Sequence, residues 1–573
     1  MRTLFDKIKS HSFSEMLKEF AWLGRYTRQY KAEVLWYVIV GVLGTVLSLT
    51  GSILSKNIID AVTGVDSGGI LVALLFYVLM QLSQIATRAV AGRINAVVSI
   101  RVNQQITAQV YDKLLSTDWE SLSAYHSGDL ITRIEGDVGT IASGVLGWLP
   151  ELITRLLQFG GTLGLILYYD PTLALLALLS APVTLLMSRY VIKMMRHHNQ
   201  AMRELNSKMT VFNEESFQHI LLIKSFNRTD TYSSRHRSLQ QEYKDASLEY
   251  NRFTIQKNTI LSLVGTVVAL LCFVWSIYRL QEGYISFGVL TLFLQLSGSV
   301  TSAFSALAAL VPGAIATATA AGRVMAIMDL PAEECGDVAA TEAFLRTYGA
   351  TPLSVQMDGI AYRYQDGEDV LTDSCFRADS GEIVAVIGPS GEGKTTLLRL
   401  LLGIVTPQRG EVRLCAADGT SIAVSPSTRP LFAYVPQGNT LFSGTVAENL
   451  RLLRPDATDE QLYEALRLAC AEEFIRRLPT GLDTPVTEQG NFSEGQIQRL
   501  CIARALLSDA PILLMDEGTS ALDTETERQV LENVLHSRKG RTCIVTTHRR
   551  SVQEMSHRVY AIRDNHVEAV DKP

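Results

Sequence analysis

Eight consecutive residues, Gly388-Pro389-Ser390-Gly391-Glu392-Gly393-Lys394-Thr395, have the most specific chemistry in the chain. They follow the β-branched run Ile383-Val384-Ala385-Val386-Ile387 and open into an apolar helical pattern over 396–402 that begins at Thr396. Strand, glycine-rich loop and helix in this order make a phosphate cradle. The glycines let backbone N–H groups wrap an anion at a helix N-terminus. Lys394 then reaches the β- and γ-phosphates, and the Thr395 hydroxyl is suited to ligate Mg²⁺. A second apolar run, Pro511-Ile512-Leu513-Leu514-Met515, delivers Asp516 and Glu517 at its end. Asp516 is placed to hold Mg²⁺ through water, and Glu517 to polarise an attacking water. Together these residues predict a phosphate-loop ATPase, a description that also fits helicases and motors.

The stretch between the two runs narrows the reading. Asn491-Phe492-Ser493-Glu494-Gly495-Gln496-Ile497-Gln498-Arg499, followed by Ile502-Ala503-Arg504-Ala505, resembles the signature helix of ATP-binding cassette proteins. Other elements of that family follow in matching order. Tyr364 resembles the aromatic that stacks on adenine, and Gln437 in Val435-Pro436-Gln437 resembles the Q-loop. Ser520-Ala521-Leu522-Asp523 resembles the D-loop, and His548 in Thr546-Thr547-His548 the switch histidine at the γ-phosphate. The resemblance implies ATP and Mg²⁺ as cofactors. It assigns catalysis to Glu517, His548 and Gln437, and the metal to Thr395, Gln437 and Asp516. Tyr364, residues 388–396, Ser493, Gly495, Gln496 and Asp523 become the ATP contacts. Ser493 and Gln496 also read as a capping box that aims a helix N-terminus at phosphate. The usual signature is Leu-Ser-Gly-Gly-Gln, so Phe492 and Glu494 depart from it. Glu494 is expected to point outward, where an acid in the first turn favours the helix.

Something must position this chemistry, and a chain of 573 residues is long enough for at least two folding units. It is 47% hydrophobic and 19% charged, and its apolar residues gather in long runs before about residue 311, as in membrane proteins. Runs near the roughly 20 residues that cross a bilayer lie at 33–54, 69–84 continuing to 94, 145–168, 171–190, 255–278 and 286–311. The connections after the second and fourth spans, 95–143 and 191–252, are long and hold most of the Lys and Arg found between spans, whereas the others are short and nearly free of both. That bias puts both termini and the two long connections in the cytoplasm. The expected fold is a membrane α-helical bundle, six transmembrane helices with long cytoplasmic extensions, plus an α/β phosphate-loop ATPase domain. Its expected divisions are an elbow region at 1–32, with Ser14 as a helix cap, a transmembrane domain at 33–322, a linker at 323–350 and the cassette at 351–573.

Glu151 and Arg155, four apart at the start of the third span, read as a structural ion pair. Gln81, Gln84, Gln295, Ser297, Ser299, Thr301, Ser302 and Ser305 are candidate substrate contacts or helix-packing groups. A net charge of −6 excludes nucleic acid as the main partner. Seven widely spaced cysteines without a Cys-x-x-Cys pair read as buried thiols.

The membrane half also resembles the six-span exporter subfamily, through Tyr125-His126-Ser127-Gly128-Asp129-Leu130-Ile131-Thr132-Arg133 with Asp137, and through Glu215 with Ile223-Lys224-Ser225-Phe226. This implies a half-transporter in a lipid bilayer that moves a small-molecule, lipid or peptide substrate by alternating access. Its partner is a second half-transporter, with a homodimer favoured over a heterodimer. Coupling turns are expected near 116–122 and 209–217. An exporter-shaped importer is the alternative, and the six spans argue against a soluble cassette ATPase.

Overall fold

The computed structural model describes residues 12–64, 70–175, 202, 204–364, 367–389, 391–438, 440–486, 492–537 and 541–572. The chain divides into two compact units: residues 1–111 with 127–328, and residues 112–126 with 329–573.

The first unit is helical. Helix α1 (Ser12–Gln29) buries Trp22, Leu23 and Tyr26, and Tyr26 Oη donates to Gln109 Oε1 at 2.7 Å. Ser14, expected as its cap, lies inside the helix. Helices α2 (Lys31–Thr63) and α3 (Ile70–Leu115) carry apolar windows of spanning length, with mean hydropathies of 2.0 and 1.9. At 1.5 Å per residue, 46-residue α3 runs roughly 70 Å, against about 30 Å of hydrocarbon. It therefore continues well past the membrane, as the long helical connection predicts. A π-helical turn at Arg133–Asp137 leads into α4 (Val138–Gly147), then α5 (Leu149–Tyr169), α6 (Thr229–Gln281) and α7 (Phe287–Met328). The expected first, second, third, fifth and sixth spans are thus helices, and the fourth lies mostly outside the described residues.

Small residues set how closely these helices approach. A Cβ on Gly41 of α2 would stand 2.2 Å from Thr154 Cγ2 of α5, and one on Gly44 would stand 3.4 Å from Thr87 Cγ2 of α3. At the other end of α2, the Asp60 carboxylate accepts from Gly288 N at 2.7 Å and Ser286 Oγ at 3.0 Å. An acid there satisfies free N–H groups at the start of α7. Buried Asp137 pairs with Arg323 of α7, with Nε to Oδ2 at 2.7 Å.

The second unit is α/β. Its strands are β1 (Ser354–Arg363), β2 (Asp369–Ala378), β3 (Ile383–Ile387), β4 (Arg409–Cys415), β5 (Ser421–Ala423), β6 (Phe432–Val435), β7 (Gly444–Thr445), β8 (Pro485–Val486), β9 (Ile512–Asp516), β10 (Thr542–Thr546), β11 (Arg558–Arg563) and β12 (His566–Val570). A six-stranded sheet has the order β12-β11-β3-β10-β9-β6, parallel except for β12. A four-stranded antiparallel sheet has the order β2-β1-β4-β5. Strands buried on both faces read as continuous apolar runs, and all five residues of β9 and of β10 are buried. Alternate residues serve different cores. Leu513, Met515, Cys543 and Val545 join one, and Ile512, Leu514 and Ile544 join the other.

Residues 323–350, expected as a linker, hold the end of α7 and helix α8 (Val338–Tyr348), which Asp337 caps through Ala340 N at 3.0 Å. The cysteine expectation is corrected. Cys272, Cys501 and Cys543 are buried, but Cys335 and Cys375 are exposed and Cys415 and Cys470 half-buried. Wide spacing excludes metal pairs without placing each thiol in a core. Burial pushes the Cys543 thiol up to about 12.

Replacing Gly41 with Ala should destabilise the protein by about 1–3 kcal/mol through overpacking, read as a lower melting temperature. Adding Thr154→Ser, which removes the clashing methyl and keeps the hydroxyl, should restore most of that loss.

Candidate active site

The phosphate loop joins β3 to α9 (Lys394–Leu401). Gly388, Gly391 and Gly393 take φ values of 155°, 93° and 100°, the left-handed region that favours glycine. A Cβ on Gly393 would stand 2.8 Å from Val370 Cγ1, and one on Gly388 would stand 2.9 Å from Ile562 O. Conformation and close packing both demand glycine here. Buried Lys394 donates from Nζ to Gly388 O at 2.7 Å and Pro389 O at 3.1 Å, and lies 3.0 Å from His548 Nε2. Burial lowers its pKa, and the charges of Glu517, Asp516 and Glu392 oppose that shift. Ser390 lies outside the described residues.

Asp516 ends β9 almost wholly buried. Its two carboxylate oxygens accept from Thr395 Oγ1 at 2.9 Å and Thr546 Oγ1 at 2.7 Å. The metal-site pair expected from sequence is therefore in contact. Glu517 follows in a left-handed conformation with φ 50°, which carries a strain of order 1–3 kcal/mol for a non-glycine residue. Bonds from its N–H to Thr546 Oγ1 at 2.9 Å and to Thr546 O at 3.2 Å hold the turn. Its carboxylate accepts from Gln437 Nε2 at 2.9 Å, lies 3.1 Å from His548 Nε2 and sits 3.9 Å from Lys394 Nζ. Lys394, Thr395, Gln437, Asp516, Glu517 and His548 form one connected network.

Tyr364 sits beside the loop. Its hydroxyl lies 3.1 Å from Thr396 Oγ1 and accepts from Arg399 NH1 at 2.9 Å, while its ring meets Tyr362 edge-on at 5.0 Å. Beyond helix α10 (Asp459–Leu468), the signature residues Ser493, Gly495 and Gln496 share no side-chain hydrogen bond with that network among the described residues. Ser493 caps α11 (Glu494–Leu507), accepting from Gln496 N at 3.3 Å, and Gln496 Oε1 accepts from Ser493 N at 2.8 Å. Phe492 is buried and meets Phe474 edge-on at 6.2 Å, so the core absorbs this departure from Leu. Glu494 is exposed in the single chain. Both oxygens of Asp523 cap α12 (Thr524–Ser537), accepting from Thr526 N at 3.0 Å and Thr526 Oγ1 at 2.7 Å. Those bonds hold its carboxyl below the usual range.

Two positioning residues escaped the sequence reading. In the sequence Thr546 stands only as a flank of His548. Buried Gln498 of α11 donates to Glu517 O and Ser520 Oγ, both at 3.1 Å, and accepts from Ala521 N at 2.8 Å. It clamps the signature helix to the turn after Glu517. Gly495 makes the approach possible, since a Cβ there would stand 2.9 Å from Ala521 O. The quoted motif contains Gln498, but nothing in its spacing shows which backbone it grips.

Residues 34–304 match the ABC transporter transmembrane region, and residues 371–520 match the ABC transporter family. The ATP-dependent lipid A-core flippase of Chromobacterium violaceum is 30% identical over 82% of this chain and 80% of its own length. The chain belongs to the ABC transporter family. It is a membrane-embedded half-transporter, one transmembrane region fused to one ATP-binding ATPase unit coupled to transport. The multidrug resistance ABC transporter ATP-binding and permease protein of Lactococcus lactis is 25% identical over 94% of this chain and 90% of its own. A bacterial Atm1-family ABC exporter solved with ATP bound shares the fold, with TM-score 0.77, 23% identity and 94% coverage of both chains.

Gln498→Ala should leave two half-buried backbone partners, Glu517 O and Ala521 N, unpaired, costing about 1–3 kcal/mol. Because those partners flank Glu517, ATP turnover should fall roughly tenfold while the KM for ATP stays within about twofold. A steady-state ATPase assay with a melting curve reads both.

Proposed function

We propose that two copies of this chain form an exporter that moves an amphipathic molecule out of the cytoplasm. In this reading ATP is hydrolysed at two composite sites, each pairing the phosphate loop of one copy with the Ser493 helix of the other. The observation that carries it is the placement of Glu517. Its carboxylate is held between Gln437 and His548 beside Lys394, where a general base for water attack on a γ-phosphate belongs. Lys394 neutralises phosphate charge, the glycine-cradled N-terminus of α9 adds its positive dipole end, and Glu517 orients and deprotonates water. His548 steadies Glu517 and contacts the γ-phosphate. Glu494, exposed at the start of the signature helix, is tolerated in this reading.

Thr395, Gln437 and Asp516 offer a hydroxyl, an amide and a carboxylate, the hard oxygen donors that Mg²⁺ prefers. Gln437 presents its amide nitrogen to Glu517, so its oxygen is the end free for a cation. Held by these three residues, Mg²⁺ would neutralise phosphate charge.

Coupling in this reading begins at the short helix Trp119–Ser123. Residues 112–126 belong to the same compact unit as the ATPase. Asp118 N donates to Pro331 O at 3.2 Å and Glu333 N to Ser116 O at 3.0 Å, while the Arg399 guanidinium lies 5.6 Å from the Trp119 ring centre. Arg399 rides on α9, the phosphate-loop helix, so nucleotide-driven movement of α9 reaches the turn directly. The Lys and Arg distribution supports a cytoplasmic ATPase unit and termini. Export of an amphipathic substrate has support in relatives named as a multidrug resistance protein and a lipid A-core flippase.

Purified alone in lipid nanodiscs, the chain should run as a two-copy particle with robust ATP turnover. Glu517→Gln should lower that turnover by at least ~100-fold while ATP binding persists. A folded, inactive particle from the unaltered chain would instead point to a different partner subunit.

A further inference from the structure

The membrane unit contains a polar cavity that the ATP chemistry does not use. It lies between α2, α3 and α5, has a volume of about 210 Å³, and is lined by Tyr37, Gln84, Arg88, Glu151, Arg155 and Gln158 among others. The close approaches of Gly41 to Thr154 and of Gly44 to Thr87 bring the three helices together around it. Within it, Glu151 is already engaged. It accepts from Arg155 Nε at 2.8 Å and Tyr37 Oη at 3.1 Å, and Arg155 NH1 donates to Gln158 Oε1 at 3.0 Å. Glu151 and Arg155 therefore cancel in charge. Arg88 does not: it is exposed, and among the described residues it has no hydrogen-bond or ion-pair partner. Two guanidiniums against one carboxylate leave the cavity one positive charge.

An unpaired guanidinium on a spanning helix is costly and marks function more often than packing. A planar fork of N–H donors matches a carboxylate, phosphate or sulfate. The amides of Gln84 and Gln158 add further polar groups, and Val40 and Ala91 add apolar wall beside them. We propose that this cavity is the head-group subsite for the transported molecule and that the molecule is an amphipathic anion, its acidic group seated on Arg88. The proposal refines the transport reading above and rests on it. Its test reads binding without nucleotide, so failure here is separate from failure of ATP-driven flux.

Radiolabelled dodecyl phosphate is equilibrated with the full chain in phosphatidylcholine nanodiscs. The expected result is saturable binding that Arg88→Gln weakens by at least roughly tenfold. Arg88→Lys and Arg93→Gln, the latter outside the cavity, should each stay within about threefold. Excess dodecyl maltoside or dodecyltrimethylammonium should not displace the label. Phosphatidylglycerol in the disc distinguishes the source: displacement assigns the anion to a bilayer lipid, and its absence to a soluble amphiphile, with the anionic class upheld in both. Unchanged affinity in Arg88→Gln with an unaltered melting curve overturns the proposal. So does equal displacement by the cationic or neutral amphiphile, or by inorganic phosphate at the same concentration. Should Arg88→Gln fail to fold, loss of binding in a folded Arg88→Lys variant overturns the charge assignment.

Discussion

A carboxylate sealed from solvent at the end of a parallel strand is costly unless hydrogen-bond donors match its oxygens. Asp516 meets this demand with two hydroxyls, Thr395 from the phosphate loop and Thr546 from β10. The two bonds tie the ends of β9 and β10 to the start of α9. Thr546 also receives the N–H of Glu517 through both its hydroxyl and its carbonyl, which fixes the left-handed turn at Glu517, the proposed general base. One buried carboxylate thereby ties the phosphate loop, β10 and the turn at Glu517 to each other. The strain at Glu517 is sustained by this fixed surround.

The surround is fixed because the sheet is buried on both faces. Successive residues of β9 and β10 feed two separate apolar cores, so a shift of either strand by one residue would exchange the two sets. On one side the sheet meets α11, whose Gln498 returns to clamp the turn after Glu517. The signature helix is thus rigidly referenced to the catalytic strand of its own copy while its capped N-terminus stays apart from that copy's network. This division suits a site completed by a second subunit. The last residues of helix α3, 112–115, belong to the compact unit that holds the ATPase, and the rest to the helical one.

Much of this was legible in the sequence because the relevant constraints are local. Glycine spacing, the strand before it and the paired acids after an apolar run specify the phosphate loop and metal pair. Hydropathy over some 20 residues specifies spans. What escaped depends on contacts between residues far apart in the chain. Gln498 reaches Ala521, Thr546 reaches Asp516, and Gly41 fits against Thr154, none of which periodicity records. The cysteines show the same limit: spacing ruled out metal pairs, yet Cys335 and Cys375 fall on surfaces that only the folded chain defines. Helix α8 arose where a linker was expected, since Asp337 supplies a cap and Phe344 an apolar anchor.

The central claim is that two copies share their ATP sites. The most direct measurement is ATP turnover by mixed particles, one tagged wild-type copy paired with one differently tagged Glu517→Gln copy and purified through both tags. If each site needs both copies to cycle, the mixed particle should turn over far below half the wild-type rate. Turnover at half that rate, with each copy acting alone, would contradict the account.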